Sequence, residues 1–268
     1  MQPRVDLYDS TYGHFGDDVL KRVRAETYGT DIGQSGWVTA AEYAEFAQWL
    51  GLDATQHVLD VGCGSGGPAL HLARLVGGRV TGIDINEEGI ATATRQAADA
   101  GLADRATFRT VDVDGPLPFE NATFDAIISM DAMCHMPLRM HVLSEWRRVL
   151  KPGGRAVFTD PVVVTGPVTS EEIAIRSSIG RFLFVPPGAN EQLVVKAGLD
   201  LVRTADLSAG GAEMARRWHA ARVAHRDALV ALEGEARFEG LQRFLDTVQC
   251  VMGERRLSRI VYLVRRPL

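Results

Sequence analysis

The chain has 268 residues, of which 46% are hydrophobic and 24% charged, as is ordinary for one globular α/β domain with additions. Its formal net charge of −5 argues against a nucleic-acid partner, because no excess of basic side chains is available to displace counterions from phosphates. The three widely spaced cysteines form neither a disulfide framework nor a metal pattern, so a cytoplasmic location is expected. No signal-like segment or membrane-length apolar run is apparent, so no membrane partner is expected.

Two helices are predicted before the first core strand. The first is expected over 17–28, and the second begins at the capping box that Thr39 and Glu42 define. The glycine-rich loop between them ends at Trp37. Such a loop is typical of a lid that closes over a ligand, although a plain connection between two helices has a similar composition.

The chain is organised around a strand, a glycine-rich turn and a helix. Residues 58–61 form an apolar run of the kind that a buried parallel strand needs. Gly62, Gly64 and Gly66 then allow a sharp turn and a close approach to a ligand, and Pro68 opens a helical pattern. This is the first unit of a doubly wound nucleotide-binding fold, and the start of its helix favours an anionic group.

An acidic residue closes the second predicted strand. Asp84 stands at the end of the strand 79–84, where it can accept hydrogen bonds from both hydroxyls of a ribose. The glycines at 62, 64 and 66 follow Asp60, which lies inside the first strand. The combination of glycine turn and acid is far more specific than a glycine turn alone, and it predicts a nucleoside-containing ligand.

A histidine and a second acid are expected at the same edge of the sheet. Strand four is predicted over 124–130 and is followed by His135, while strand five, over 155–160, ends at Asp160. Because parallel strands end at one edge, both side chains are expected in one crevice, where the carboxylate would make the histidine a stronger base. The alternative is that His135 caps a loop and that Asp160 is a turn acid before proline.

The last third of the chain is expected to wall a pocket for an acceptor. A helical insert, with one long helix over 214–233 and another over 238–252, is predicted between strands six (200–205) and seven (259–264). Strand seven is expected to be antiparallel and to lie at the edge of the sheet. Trp218 is a candidate for the pocket wall, although apolar helix residues more often belong to the core.

These motifs resemble class I methyltransferases that depend on S-adenosyl-L-methionine (SAM). The resemblance is closest to the small-molecule branch, which holds natural-product O-methyltransferases, ubiquinone-type enzymes and sarcosine/dimethylglycine-type N-methyltransferases. It extends over residues 5–165 and, in topology, over the remainder. The segments that carry it are 58–64, His135-Met136-Pro137 with Arg139, and Leu150-Lys151-Pro152-Gly153-Gly154. Leu138 stands where sugar O-methyltransferases of this branch often have an acid, so no acceptor follows from the resemblance.

The resemblance implies an α/β fold, namely a doubly wound, seven-stranded, mostly parallel, Rossmann-like sheet. It implies a helical lid over 1–50, a SAM-binding core over 51–165, and substrate-covering helices with the final strands over 166–268. SAM would be the cofactor and S-adenosyl-L-homocysteine (SAH) its product. The residues expected to contact the cofactor are Asp60, Gly62, Cys63, Gly64, Gly66, Asp84, Ile85, Asp112, Val113, Met130, Gln34 and Trp37, with Asp112 near the adenine amino group. The residues expected to contact the acceptor are Tyr12, Tyr28, His135 and Trp218.

The implied activity is methylation of a hydroxyl on a small molecule of secondary metabolism. His135 would be the general base, and Asp160 would orient it. The alternatives are N- or C-methylation without a base and a non-catalytic SAM-binding module. A nicotinamide-dependent dehydrogenase would need its third glycine further along than Gly66. A metal-assisted enzyme could use Asp131 and Asp160 but lacks an obvious third oxygen ligand, so no metal is expected; a homodimer is left open.

Overall fold

Seven strands form one sheet in the described part of the chain. A computed structural model describes residues 12–268, and residues 1–11 of the predicted lid lie outside it. The strands are β1 (His57–Val61), β2 (Arg79–Asp84), β3 (Ala106–Thr110), β4 (Phe124–Ser129), β5 (Leu150–Val164), β6 (Asp200–Asp206) and β7 (Leu257–Arg265). Their order is β3-β2-β1-β4-β5-β7-β6, and the pairings are parallel except those of β7. The predicted doubly wound, mostly parallel sheet is therefore confirmed.

Helices cover both faces of this sheet. They are α1 (Asp18–Tyr28), α2 (Ala40–Leu50), α3 (Gly67–Val76), α4 (Glu87–Asp99), α5 (Arg139–Val149), α6 (Ser170–Arg176), α7 (Ala189–Lys196), α8 (Ser208–Ala224), α9 (Arg226–Glu233) and α10 (Glu235–Gly253). On one face, Trp146 of α5 and Val194 of α7 pack against the strands. On the other face, Phe46 of α2 and Leu72 of α3 do the same. Two apolar layers thus enclose the central strands, as buried parallel strands require.

Local sequence signals fix several helix starts. The side chain of Thr39 accepts a hydrogen bond from the N–H of Glu42, and the Glu42 side chain accepts from the N–H of Thr39, so the predicted capping box is confirmed. The side chain of Asn86 accepts from the N–H of Gly89 and caps α4, directly after β2. These caps set the points at which the chain leaves the edge of the sheet.

The position of strand seven corrects the sequence-based expectation. β7 runs antiparallel, as predicted, but it lies between β5 and β6, and β6 forms the edge. The burial of the two strands explains the order, because nearly every residue of β7 is buried whereas β6 is largely exposed. An apolar strand gains most from a central position, and a polar strand can serve as an edge.

The predicted long helix over 214–233 is two helices, α8 and α9. The break falls at His225, which has φ −112° and ψ 24° and whose Nε2 lies 2.7 Å from Oε1 of Glu26 on α1. The turn lets Leu229 of α9 pack with Val23 of α1 in a small apolar cluster. The helical insert is thereby joined to the N-terminal helix rather than extending away from it.

The N-terminal segment and the insert between β6 and β7 share a second apolar cluster. Tyr28 and Trp37 from the segment pack with Met214 of α8 and with Phe244 and Met252 of α10. These elements lie beyond the carboxyl ends of β1 and β4, where open α/β sheets bind ligands. Among residues 12–268, no helix is both long and apolar enough to cross a membrane.

Candidate active site

The glycine turn after β1 packs too closely for side chains at two positions. Gly62 has φ +77°, and a Cβ built there would lie 2.5 Å from the Cβ of Ala132. Gly66 has φ +78°, and its Cβ would lie 2.5 Å from that of Ala93 on α4. The N–H of Gly62 donates to the carbonyl of Ile83 at 2.8 Å, which ties the turn to β2. The turn therefore brings bare backbone to the edge of the sheet, as a nucleoside ligand needs.

Asp60 is a buried carboxylate directly beneath this turn. Its side chain is 2% exposed, and its Oδ2 atom has no hydrogen-bond partner among the described residues. Burial, together with the charge of Asp84, raises the pKa of Asp60 to about 7. An uncompensated buried carboxylate is costly, and a cationic ligand would remove part of that cost. The site therefore fits SAM, which carries positive charge.

Asp84, at the end of β2, organises the backbone around it. Its Oδ2 accepts a hydrogen bond from the N–H of Gly64 at 2.8 Å, and its Oδ1 accepts one from the N–H of Asn86 at 2.8 Å. Burial raises the pKa of Asp84, while the hydrogen bonds from Asn86 and Gly64 oppose that rise. Each carboxylate oxygen has two acceptor positions, so these contacts leave room for ribose hydroxyls.

A cavity of about 370 Å³ opens in front of the turn and continues under the N-terminal segment. This volume falls within the range of small-molecule sites, roughly 300–1,000 Å³. A smaller cavity adjoins it on the side of the glycine turn. Of the predicted residues, Tyr12, Trp37, Gly62, Asp84, Ile85, Asp112, Val113, Met130, His135 and Trp218 line the larger cavity. Asp60, Cys63, Gly64 and Gln34 line the smaller one.

Three predicted site residues line neither of these two cavities. Gly66 allows the close packing of α3 against α4 described above. Tyr28 lies behind the N-terminal segment, where its hydroxyl donates to the carbonyl of Gly36 at 2.7 Å and burial raises its pKa. The prediction that Tyr28 contacts the acceptor is therefore corrected, because the hydroxyl serves the covering segment instead. Asp160 is the third.

His135 follows β4 at the end of a short 3₁₀ helix, Met133–His135, and lines the larger cavity. Its Nδ1 atom lies 2.6 Å from the carbonyl oxygen of Arg181. Because a carbonyl can only accept, Nδ1 carries the hydrogen and Nε2 is the basic nitrogen of the neutral ring. Burial lowers the pKa of His135, so the ring is neutral near pH 7.

Asp160 has different partners from those expected. It is fully buried, and its carboxylate accepts hydrogen bonds from Nη1 of Arg139 at 2.6 Å and from Nδ2 of Asn190 at 2.9 Å. The group that fixes Nδ1 of His135 is the Arg181 carbonyl, which corrects the expectation that Asp160 orients the ring. The physical reason is that a buried carboxylate needs a charged partner, and Arg139 supplies it.

A network of ionic side chains holds the N-terminal segment over the cavity. The sequence analysis did not predict this network. Oδ2 of Asp131 accepts from the N–H of Trp37 at 2.9 Å, and its Oδ1 accepts from Nε of Arg259 at 2.8 Å. Nη1 of the same arginine donates to Glu42 of α2 at 2.8 Å. Arg259 is 0% exposed, and a charged residue directly before the apolar run 260–264 of β7 was the available signal. Asp131, considered above as a metal ligand, is thus an arginine partner.

The far end of the larger cavity is aromatic. Trp218 of α8 and Phe244 of α10 both lie against Trp37. The centre of the Trp37 ring is 6.1 Å from that of Trp218 and 6.2 Å from that of Phe244. Phe182 covers the ring of His135 at a centroid distance of 4.4 Å. Arg176, the last residue of α6, also lines this end. The cavity therefore has an acidic end at the glycine turn and an aromatic, basic end beneath the insert.

Known proteins match this chain in sequence over the region that contains the site. Residues 58–154 match the family model described as a methyltransferase domain. The methyltransferase GfsG of Streptomyces halstedii is 38% identical over 165 residues, which cover 59% of this chain and 58% of that protein. The 27-O-demethylrifamycin SV methyltransferase of Amycolatopsis mediterranei is 38% identical over 130 residues, covering 48% of this chain and 47% of that protein. The chain spans about half of the length of these curated relatives.

A solved structure shares the fold over nearly the whole chain. The phosphoethanolamine N-methyltransferase 2 of Haemonchus contortus, in complex with SAM, superposes with a TM-score of 0.81 at 19% identity, covering 97% of this chain and 60% of that one. The matched family domain contains the glycine turn, Asp60 and Asp84, which are the residues that fit SAM. Over residues 58–154 the chain therefore contains a methyltransferase domain, and in sequence it is similar to proteins named as methyltransferases.

Proposed function

We propose that the protein transfers the methyl group of SAM to a hydroxyl of a small-molecule acceptor and releases SAH. The support is a single cavity with two chemically different ends. Asp84 and Asp112 lie at the end beside the glycine turn, where a nucleoside and a positive charge fit. His135, with a basic nitrogen and a lowered pKa, lies toward the aromatic end, where an apolar acceptor fits.

At the cofactor end, three carboxylates would each bind a different part of SAM. Asp60 would offset its positive charge, because this carboxylate is buried and its Oδ2 has no partner. Asp84 would accept hydrogen bonds from the ribose hydroxyls, and Asp112 would accept one from the adenine amino group. Ile85, 67% exposed, and Val113 would provide apolar contacts to the base.

At the acceptor end, the protein positions the hydroxyl and removes its proton. When bound, SAM supplies an electrophilic methyl group on a sulfonium ion. Nε2 of His135 would accept the proton of the hydroxyl, and the Arg181 carbonyl would stabilise the resulting positive ring through Nδ1–H. Trp37, held by Asp131, would help to exclude water from the closed cavity.

The test is a transfer reaction with methyl-labelled SAM and a small-molecule extract of the source cell. We expect the label in the low-mass organic fraction, and mass spectrometry with NMR should place it on an oxygen atom. Label on nitrogen or carbon would contradict the hydroxyl and favour methylation by proximity alone. Label on protein or nucleic acid would contradict the acceptor class. Absence of label, with SAH binding shown by calorimetry, would favour a non-catalytic SAM-binding module.

A further inference from the structure

The carbonyl that binds His135 belongs to a segment with little regular structure. Residues 181–184, between α6 and α7, form neither helix nor strand, and Val185 makes a single bridge with Val163 of β5. The Arg181 carbonyl therefore depends for its position on the contacts of this segment with its neighbours. A carbonyl can fix the tautomer of a histidine only if the carbonyl is itself held in place.

Leu183 attaches this segment to the chain around His135 at two points. Its N–H donates to the carbonyl of Cys134, the residue before His135, at 2.8 Å. Its carbonyl accepts a hydrogen bond from Nη2 of Arg139 at 2.8 Å. Leu183 is thus held on both sides, two residues after the carbonyl that binds the ring.

Arg139 is itself fixed by a buried ionic centre. It is the first residue of α5 and is 4% exposed. Its Nη1 donates to Asp160 of β5 at 2.6 Å and to Oδ1 of Asn190 on α7 at 2.7 Å, and Nδ2 of Asn190 donates to the same carboxylate at 2.9 Å. Because hydrogen bonds to charged groups are strong away from water, the guanidinium has little freedom to turn. Its Nη2 is therefore a donor of fixed direction toward the Leu183 carbonyl.

The tautomer of His135 decides whether its outer nitrogen can accept a proton. A neutral ring that carries its hydrogen on Nε2 presents a donor at that position, and a donor cannot remove the proton of a hydroxyl. The partner of Nδ1 selects the tautomer. Phe182 belongs to the same segment and packs on the ring at a centroid distance of 4.4 Å, so a shift of the segment would disturb both contacts of the histidine.

We propose that Arg139 is a positioning residue, which keeps the hydrogen of His135 on Nδ1 and leaves Nε2 as the basic nitrogen. It acts through residues 181–183, because its hydrogen bond to this segment keeps the Arg181 carbonyl against Nδ1. Asp160 contributes by anchoring the arginine. The inference rests on the proposed function, because that function gives Nε2 its task.

The experiment determines the tautomer of His135 in the SAH-loaded protein. Long-range proton–nitrogen NMR correlation spectra of protein with isotope-labelled histidine distinguish the ring nitrogen that carries hydrogen from the one that does not. The spectra are recorded at about pH 8, where histidine is neutral. His135→Gln identifies the signals of His135 by their loss. His57 on β1 and His71 on α3 are internal references. We expect the wild-type ring of His135 to carry its hydrogen on Nδ1.

Arg139→Lys is the decisive variant. Lysine keeps a positive charge beside Asp160, so the buried ion pair survives, but it lacks the second arm that reaches the carbonyl of the segment. We expect the ratio of Nδ1–H to Nε2–H in His135 to fall about 3- to 10-fold, the change in an equilibrium that one hydrogen bond usually brings. Arg147→Lys is the matched control, because Arg147 also lies on α5 and donates to a carbonyl, that of Gly198 at 3.2 Å. Its ratio should equal that of the wild type.

A second variant decides the matter if Arg139→Lys does not fold. Asn190→Ala removes one anchor of the guanidinium and leaves the ion pair, so it should shift the ratio in the same direction by a smaller factor. A fall in the ratio at His135 alone, with SAH binding intact, would support the inference. An unchanged ratio in Arg139→Lys, or in Asn190→Ala where only that variant folds, would overturn it. An equal change at His57 and His71 would also overturn it, because it would reveal a general loosening of the fold.

The wild-type spectrum tests the proposed function separately. A wild-type His135 with its hydrogen on Nε2 would contradict the base role, and this inference with it. A wild-type Nδ1–H form that persists in Arg139→Lys would overturn only the role of Arg139. If the wild type failed to bind SAH, the proposed function would fail at the cofactor site, and the same comparison on the free protein would still decide the role of Arg139.

Discussion

The two ends of the cavity are built by different means. At the cofactor end, neighbouring segments of the chain are joined by the backbone: the N–H of Gly62 donates to the Ile83 carbonyl, and that of Gly64 donates to Asp84. At the acceptor end, elements far apart in sequence are joined by side chains, as when Arg259 of β7 binds Asp131 after β4 and Glu42 of α2. A hydrogen bond from a backbone N–H group fixes the identity of at most one residue. An ion pair between side chains fixes the identities of both residues.

This difference bears on how such a domain changes its acceptor. The glycine turn and the ends of β1 and β2 form the floor of the cofactor end, and the N-terminal segment adds Gln34 to its wall. The aromatic wall belongs to α8, α10, the N-terminal segment and the stretch after α6, so substitutions there alter the acceptor end and leave the sheet in place. Function in such a fold resides in the site rather than in the scaffold.

The strongest test of this comparison removes the side-chain network. Arg259→Gln leaves Asp131 and Glu42 without their cation, and breaking a buried ion pair costs about 3–5 kcal/mol. We expect the free energy of unfolding in urea to fall by that amount. Arg265→Gln is the control, because its ion pair with Asp200 is about half exposed and such pairs contribute about 1 kcal/mol or less. Equal, small losses in both variants would show that the network does not hold the acceptor end.

Removal of the proposed base should separate the two ends functionally. His135→Ala is expected to lower turnover at least 100-fold, which is the usual scale for a general base, and to leave SAH affinity unchanged. Turnover of the wild type should fall only below the ordinary histidine pKa of about 6.5, because burial lowers the pKa of His135 and the base is lost on protonation. His71→Ala, on α3 and outside both cavities, is the control. Unchanged turnover in His135→Ala would exclude the base role.

The sequence predicts the glycine turn and the strand ends around it well, for a physical reason. A glycine turn, a capping residue and a strand-ending acid act through contacts within a few residues or between adjacent strands. Asp84, for example, lies two residues from Asn86 and on the strand beside β1. Such short-range rules also gave the helix starts and the seven strands. The order of β6 and β7 was mispredicted because it depends on which strand is more apolar along its whole length.

The acceptor end was harder to predict because its partners are separated by long stretches of chain. Asp131 and Arg259 lie 128 positions apart, and neither residue alone indicates the other. His135 and Asp160 were both placed near the correct edge, but their partners depend on Arg181 and Arg139. A carboxylate at the end of a predicted strand can be assigned to an edge of the sheet from the sequence. Its partner cannot, because the partner is whichever cation the tertiary packing brings into contact with it.

A substitution at the cofactor end tests whether its side chains matter as much as its backbone. Asp84→Ala removes the acceptor proposed for the ribose hydroxyls and should weaken SAH binding about 10- to 100-fold, because hydrogen bonds to a charged group are worth about 1.5–3 kcal/mol. Circular dichroism should show an intact fold. Asp99→Ala, an exposed acid at the end of α4, should leave the affinity unchanged. If both variants bind SAH equally well, the backbone alone provides this end of the site.

The smallest expected effect concerns the proton on Asp60. Its pKa is raised to about 7, so the carboxyl is ionised above that pH and increasingly neutral below it. Only the ionised form offsets the positive charge of SAM, and affinity should therefore fall by up to about tenfold from pH 7 to pH 6. Since a cation favours ionisation of Asp60, binding at pH 6 should release a proton, which calorimetry in buffers of different ionisation enthalpy would detect.

Asp60→Asn should bind more weakly, with a flatter pH profile and without that proton release. A flat profile in the wild type would mean that Asp60 does not face the charge of the cofactor.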